Sequence, residues 1–123
     1  MKNTVKTYKD LIIWQNAFET AKLVLKLASL LPRNTQNNII LNQLLRSIMS
    51  VGANIAEGYG RFGGKEYARF LQVSLGSANE SEYWLLLLIE TNPTYKEEIT
   101  KAIEKNIESI RMLAASLKTI RNK

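Results

Sequence analysis

The residues best suited to chemistry lie between Gly58 and Arg69, where the chain reads G-Y-G-R-F-G-G-K-E-Y-A-R. Gly58-x-Gly60-x-x-Gly63 has the letters of a dinucleotide fingerprint, in which glycines let a turn approach a pyrophosphate closely. That motif works only where a strand runs into a helix. Here the preceding Leu41, Leu44 or Leu45, Ile48, Val51 and Ile55 recur at helical spacing. What survives is a helix-to-helix turn that delivers Arg61 and Lys65 to the start of the next helix, whose free amides favour an anion. The same turn has a purely structural reading. Its glycines would admit positive φ, and Arg61 or Arg69 would pair with Glu57, which sits at the negative end of a helix dipole. Asn54, Glu57, Gly58 and Gly60 then form a structural junction.

Little else in the chain offers catalysis. There is no histidine and no cysteine. The usual general base, His-assisted nucleophiles, thiolate chemistry and the Glu-x-x-His ligands of a di-iron bundle are therefore excluded. Glu80 and Glu82 are two residues apart on a helical pattern and face different ways. No catalytic residue, metal site or cofactor is expected, and the chain reads as a non-enzyme.

Four helical segments must position the junction. Thr7 and Asp10 can cap a first helix over about 10–30, with Leu11, Trp14, Phe18, Ala21, Leu25 and Ala28 as its apolar stripe. Pro32 ends it. Asn34 or Thr35 can cap a second helix over about 35–58, on which Arg46 and Glu57 share a face. A third, over about 65–91, carries Tyr67, Leu71, Ser74, Ala78, Ser81, Leu85 and Leu88 in register; Gly76 in its interior predicts a close helix contact. Thr94-Tyr95-Lys96-Glu97 has the form of a capping box for a fourth helix over about 95–120. Short connections between long helices predict an all-α, up-down-up-down antiparallel four-helix bundle forming one domain. Trp84 to Ile89 is apolar all round, so Trp84, Leu87 and Leu88 are expected to meet another subunit.

The net charge is +6 over 123 residues, with a pI near 9.7. An anionic partner, such as a nucleic acid, is suggested by this balance. Arg46, Arg61, Lys65, Arg69, Lys118 and Arg121 are the candidate phosphate contacts, with Lys123 extending the basic tail. Absent cysteine suits a cytoplasmic protein. The longest uninterrupted apolar run, Trp84 to Ile89, is far short of the ~20 residues of a membrane span, so no membrane association is expected.

The string Asn54-Ile-Ala-Glu57-Gly58-Tyr-Gly60-Arg61, followed by Lys65-Glu66-Tyr67, Phe70-Leu71 and Leu75-Gly76-Ser77-Ala78-x-Glu80, resembles the signature of the four-helix-bundle proteins encoded in intervening sequences of bacterial 23S ribosomal RNA. Tyr8-Lys9-Asp10-Leu11 with Trp14-Gln15 is similar to that family's opening. Gly52 stands where the family usually has proline, and Leu45-Arg46 where it often has paired arginines. The resemblance implies a homo-oligomer, a pentamer, in a bacterial cytoplasm. It extends to the accessory variability determinant of diversity-generating retroelements, a basic bundle associated with RNA. The leading expectation is a non-enzymatic RNA-associated bundle that contacts phosphates; the alternative is a protein-interaction scaffold.

Overall fold

The computed structural model describes residues 4–61 and 64–122; Gly63 of the glycine motif and Lys123 of the basic tail lie outside them. Four helices follow one another: α1 Ile12–Leu30, α2 Thr35–Tyr59, α3 Gly64–Thr91 and α4 Lys96–Arg121. They form an antiparallel four-helix bundle, each helix packing on its two neighbours in chain order and α1 closing against α4. The α2–α3 contact is the most extensive and α1 is the most loosely held.

Local chemistry explains most boundaries. Thr7 and Asp10 act together, closing a capping box on a 3-10 turn at Tyr8–Asp10 rather than on α1 itself. Leu11 is then extended, and α1 begins at Ile12. The Asn34 side chain accepts from the Asn37 N–H and caps α2. The expected Thr94–Glu97 box does not form. Pro93 opens a 3-10 turn, Pro93–Tyr95, that runs straight into α4 and places Thr94 inside the turn. This end is held instead by Asn37 and Asn92, whose amides exchange bonds of 3.0 and 2.9 Å across the bundle.

The core has two apolar clusters, one around Leu44, Ile48, Leu85 and Ile99, the other around Val51, Ile55, Leu71 and Leu113. Between them runs a bonded polar layer. Asn16 donates to the Ser109 hydroxyl (2.7 Å) and the Lys105 carbonyl (3.1 Å), Asn106 to the Ala78 carbonyl (2.9 Å), and Ser74 to the Val51 carbonyl (2.8 Å). Ser47 and Ser81 hydroxyls meet at 2.7 Å.

That layer overturns one reading of the sequence. On α1 the core face is Asn16, Ala17, Thr20, Val24 and Leu27, whereas Phe18 and Leu25 of the expected stripe stay about half exposed. Asn16 and Thr20 can be buried because each finds an acceptor, Thr20 on the Asn16 carbonyl. Two further corrections concern α3. Gly76 has nothing within 4 Å of a built Cβ, so no close contact accounts for it. Leu88 is wholly buried in the chain's own core and cannot serve a subunit contact; Trp84 and Leu87 are half-buried. Among the described helices only α2 is long and apolar enough to cross a membrane, a property shared by the core helices of soluble bundles, and its apolar stripe is the packed one here.

Candidate nucleic-acid interface

The junction is built from close packing. None of the described glycines has positive φ, contrary to expectation: α2 stays right-handed through Gly58 to Tyr59, and Gly60 closes it at φ −74°. The need for glycine at 58 is space, because the Phe70 side chain of α3 lies directly against it. Arg61 folds back over this contact. Its Nε and Nη2 donate to one Glu57 carboxylate oxygen at 3.2 and 2.7 Å, and its guanidinium lies 5.3 Å from the Phe70 ring centroid. The cation that Glu57 requires at a helix C-terminus is thus its neighbour one turn on. Asn54 bonds backwards to the Ser50 carbonyl at 2.8 Å. Arg69 pairs with Glu66 at 3.2 Å rather than with Glu57.

The six candidate phosphate contacts separate into three groups. Lys65, Arg69 and Arg121 come together. They line one groove of about 710 Å³ between the start of α3 and the end of α4, with Gln72 and Ile120 between them. The Arg121 guanidinium donates to the Gln72 side-chain carbonyl at 2.9 Å, which fixes it over the groove. Lys65 has no carboxylate within ion-pair distance among the described residues. Lys118, exposed, stands one turn before Arg121. Arg61 is the second group, outside the lining of the groove and engaged by Glu57 and Phe70. Arg46 is the third, far along α2, donating to Gln43 and to Glu80 of α3. Glu80 also accepts from the Trp84 indole at 3.0 Å, so this arginine belongs to an ion-pair cluster and does not share a contact with Glu57.

Topology also redistributes the charge. In sequence, the segment from Lys65 to Asn92 is net acidic. Folded, the layer of Asn16, Ser109, Ser74 and Val51 divides the bundle, with the Lys105–Glu108 pair astride it. The half with the glycine connector holds Lys6, Lys9, Arg61, Lys65, Arg69, Arg111, Lys118 and Arg121 against Asp10, Glu57 and Glu66. In the opposite half, Lys22, Lys26, Arg33, Arg46, Lys96 and Lys101 are matched by Glu19, Glu80, Glu82, Glu90, Glu97, Glu98 and Glu104. Essentially all of the described excess charge therefore gathers at one end. Counting along the chain could not reveal this, because the start of α1 and the end of α4 join the α2–α3 connector only in the bundle.

Among the described residues nothing in this arrangement points to catalysis. Among the described residues no three carboxylates gather into a group able to hold a metal ion. Two groups have shifted titrations. Asp10 is held below the usual carboxylate range by the backbone N–H groups of Lys6 and Thr7. Tyr67 is pushed above the ordinary phenol range by burial, then by Tyr59 beside it.

Comparison with known proteins agrees with this architecture. A solved structure described as a protein of unknown function from the S23 ribosomal protein family of Bacteroides thetaiotaomicron VPI-5482 superposes with a TM-score of 0.79 at 29% identity, covering 87% of this chain and 99% of its own. A search among curated proteins finds no match. The sequence profile of the 23S rRNA-intervening sequence proteins matches residues 9–115. With most of its length matched and four helices in the same arrangement, the chain belongs to the 23S rRNA-intervening sequence protein family.

Proposed function

We infer that this protein is a non-enzymatic, RNA-associated bundle that grips phosphates with the basic end of its fold. The observation that carries this reading is the gathering of Lys65, Arg69 and Arg121 on one groove at the end where cations outnumber acids. Exposed guanidinium and ammonium groups of this kind bind sugar-phosphate backbones without reading bases. The family's name, which associates such chains with 23S rRNA, supports RNA over other polyanions. Binding of a structured RNA, followed by filter retention or anisotropy across a salt series, tests it. The logarithm of the affinity is expected to fall linearly with log salt. Absence of binding at low salt would remove the proposal.

Self-association is a second, compatible reading. Ile39 is 60% exposed, Tyr83 57% and Leu86 49%, so apolar side chains face outward on α2 and α3. A ring of copies would bring several basic ends together and multiply weak phosphate contacts. Light scattering decides the matter: a monomer at micromolar concentration contradicts it. A scaffold that binds only protein predicts the oligomer without any RNA affinity.

A further inference from the structure

The misread apolar stripe of α1 forms an aromatic ladder. Trp14 and Phe18 stack with ring centroids 4.9 Å apart and planes 20° from parallel, and Tyr8 meets the Trp14 ring edge-on at 5.2 Å. Phe18 is 48% exposed, while Tyr8 and Trp14 are half-buried. A lysine stands at each end: the Lys9 ammonium 6.0 Å from the Tyr8 centroid, the Lys22 ammonium 5.6 Å from that of Phe18. Among the described residues the Trp14 indole N–H meets no acceptor, whereas that of Trp84 donates to Glu80. Gly52 of α2 lies beside it, where an alanine methyl would stand 3.6 Å from the indole nitrogen.

We propose that Tyr8, Trp14 and Phe18 are a stacking surface for unpaired RNA bases, with Lys9 and Lys22 taking the flanking phosphates. This rests on the phosphate-binding reading and adds to it the class of RNA that is preferred. Base-on-aromatic stacking tolerates any sequence, since every base has a π-face, and aromatic rings between cations are what a single strand requires. The composition of the ladder selects this occupant over a second copy of the chain. An interface between copies would bury the Trp14 indole donor and the Lys9 ammonium, neither of which has an acceptor among the described residues, at a desolvation cost; Lys22 is held by Glu19 at 3.2 Å and turns to a phosphate only by leaving that exposed pair. A nucleotide supplies ring, acceptor and anion together. The ladder also continues from the basic end, because Tyr8 and Lys9 belong to its capped turn.

The test uses the full chain carrying Trp84→Phe, which leaves Trp14 as the sole indole. An unstructured oligouridine and an RNA duplex with the same number of phosphates are titrated in at low salt. The expected result is quenching of Trp14 fluorescence by the single strand alone. Phe18→Ala should weaken single-strand binding by about tenfold, from the loss of one stacking partner, and Phe18→Tyr should restore it, with duplex affinity unchanged in both. Circular dichroism confirms that the variants fold. If both RNAs bind equally and neither quenches Trp14, the stacking surface is refuted while phosphate binding stands. If neither RNA binds, both readings fall. If Phe18→Ala instead changes the sedimentation coefficient, the face joins two copies of the chain and the proposal is overturned.

Discussion

A Cβ placed on Gly58 would stand 2.6 Å from the Phe70 Cβ, closer than two unbonded carbons approach. This single contact sets the spacing of α2 and α3 at the connector, and Arg61 lies across its outer side. Replacement by alanine pits two effects against each other. Helix propensity favours alanine by ~1 kcal/mol, while forcing a methyl into a packed contact costs about 1–3 kcal/mol. Gly58→Ala is therefore expected to lower the urea midpoint, and Gly76→Ala, which meets nothing within 4 Å, to raise stability by ~1 kcal/mol. Equal gains from the two alanines would show that α2 and α3 separate freely at Gly58.

Asn106 is wholly buried, and its side-chain oxygen has no hydrogen-bond partner although its nitrogen donates to the Ala78 carbonyl. An unsatisfied buried acceptor costs about 1–3 kcal/mol, against ~1 kcal/mol for the single bond made. Asn106→Leu keeps the branching at Cγ and removes both. It is expected to raise the thermal midpoint. Its hydrogen exchange should become less uniform along α4, because the bond that sets α4 against α3 is gone. A marked loss of stability would mean that the polar layer, rather than the two apolar clusters, holds the centre together.

Where a helical repeat of apolar and small residues runs unbroken, the sequence was a sufficient guide. The expected Leu41, Ile48, Val51 and Ile55 of α2 and Leu71, Ser74, Ala78, Ser81, Leu85 and Leu88 of α3 are the buried ones. It misled on α1, where Asn16 and Thr20 point inward while Phe18 and Leu25 stay about half exposed. Ser74 and Ser81 were carried inside by the apolar register around them, but an amide such as Asn16 can be placed inside only when its partners are known, and these are on α4, 89 and 93 positions away. The same limit hid Asn106 and Ser109, which lie between Ile99 and Leu113 on the buried face of α4. For the candidate site, sequence supplied the six cations but could not sort them. The grouping of Lys65 and Arg69 with Arg121, and the removal of Arg46 to Glu80, are consequences of antiparallel packing.

The chain entry to α1 is expected to respond to acid through Asp10. Asp10 accepts from the N–H groups of Lys6 and Thr7 at 2.9 and 3.1 Å, and these bonds lower its pKa in the folded state. A depressed carboxylate stabilises the fold above its unfolded pKa, and the contribution disappears as pH falls through the folded value. Amide exchange at Lys6 and Thr7 should therefore accelerate below the usual carboxylate range, and Asp10→Asn should show that faster exchange at neutral pH. Tyr67 behaves oppositely. Burial raises its pKa, so the protonated phenol is favoured in the fold and stability declines as pH rises through the unfolded phenol value of ~10. Tyr67→Phe should remove that part of the alkaline loss. If either exchange rate or alkaline midpoint is unchanged in its variant, the assigned group is not the one titrating.

Arg46 and the groove cations make separable predictions, although all are arginines or lysines on one small bundle. From Arg46 to the end of α2 at Tyr59 the helix rises about 20 Å at ~1.5 Å per residue, more than two screening lengths of ~8 Å at physiological salt. Arg46 is also paired with Glu80, with side-chain exposures of 58% and 36%, so losing it leaves a surface carboxylate and costs at most ~1 kcal/mol of stability. Arg46→Gln should leave RNA affinity within about twofold, below the tenfold that corresponds to ~1.4 kcal/mol. Lys65→Gln and Arg121→Gln should each reduce the slope of log affinity against log salt by about 0.7–0.9, one released counterion per phosphate contact. Combining the two should subtract both amounts, since each neutralises a different phosphate. Equal losses from Arg46→Gln and Arg121→Gln would mean that RNA responds to the charge of the whole bundle, and the basic end would lose its claim to be the site.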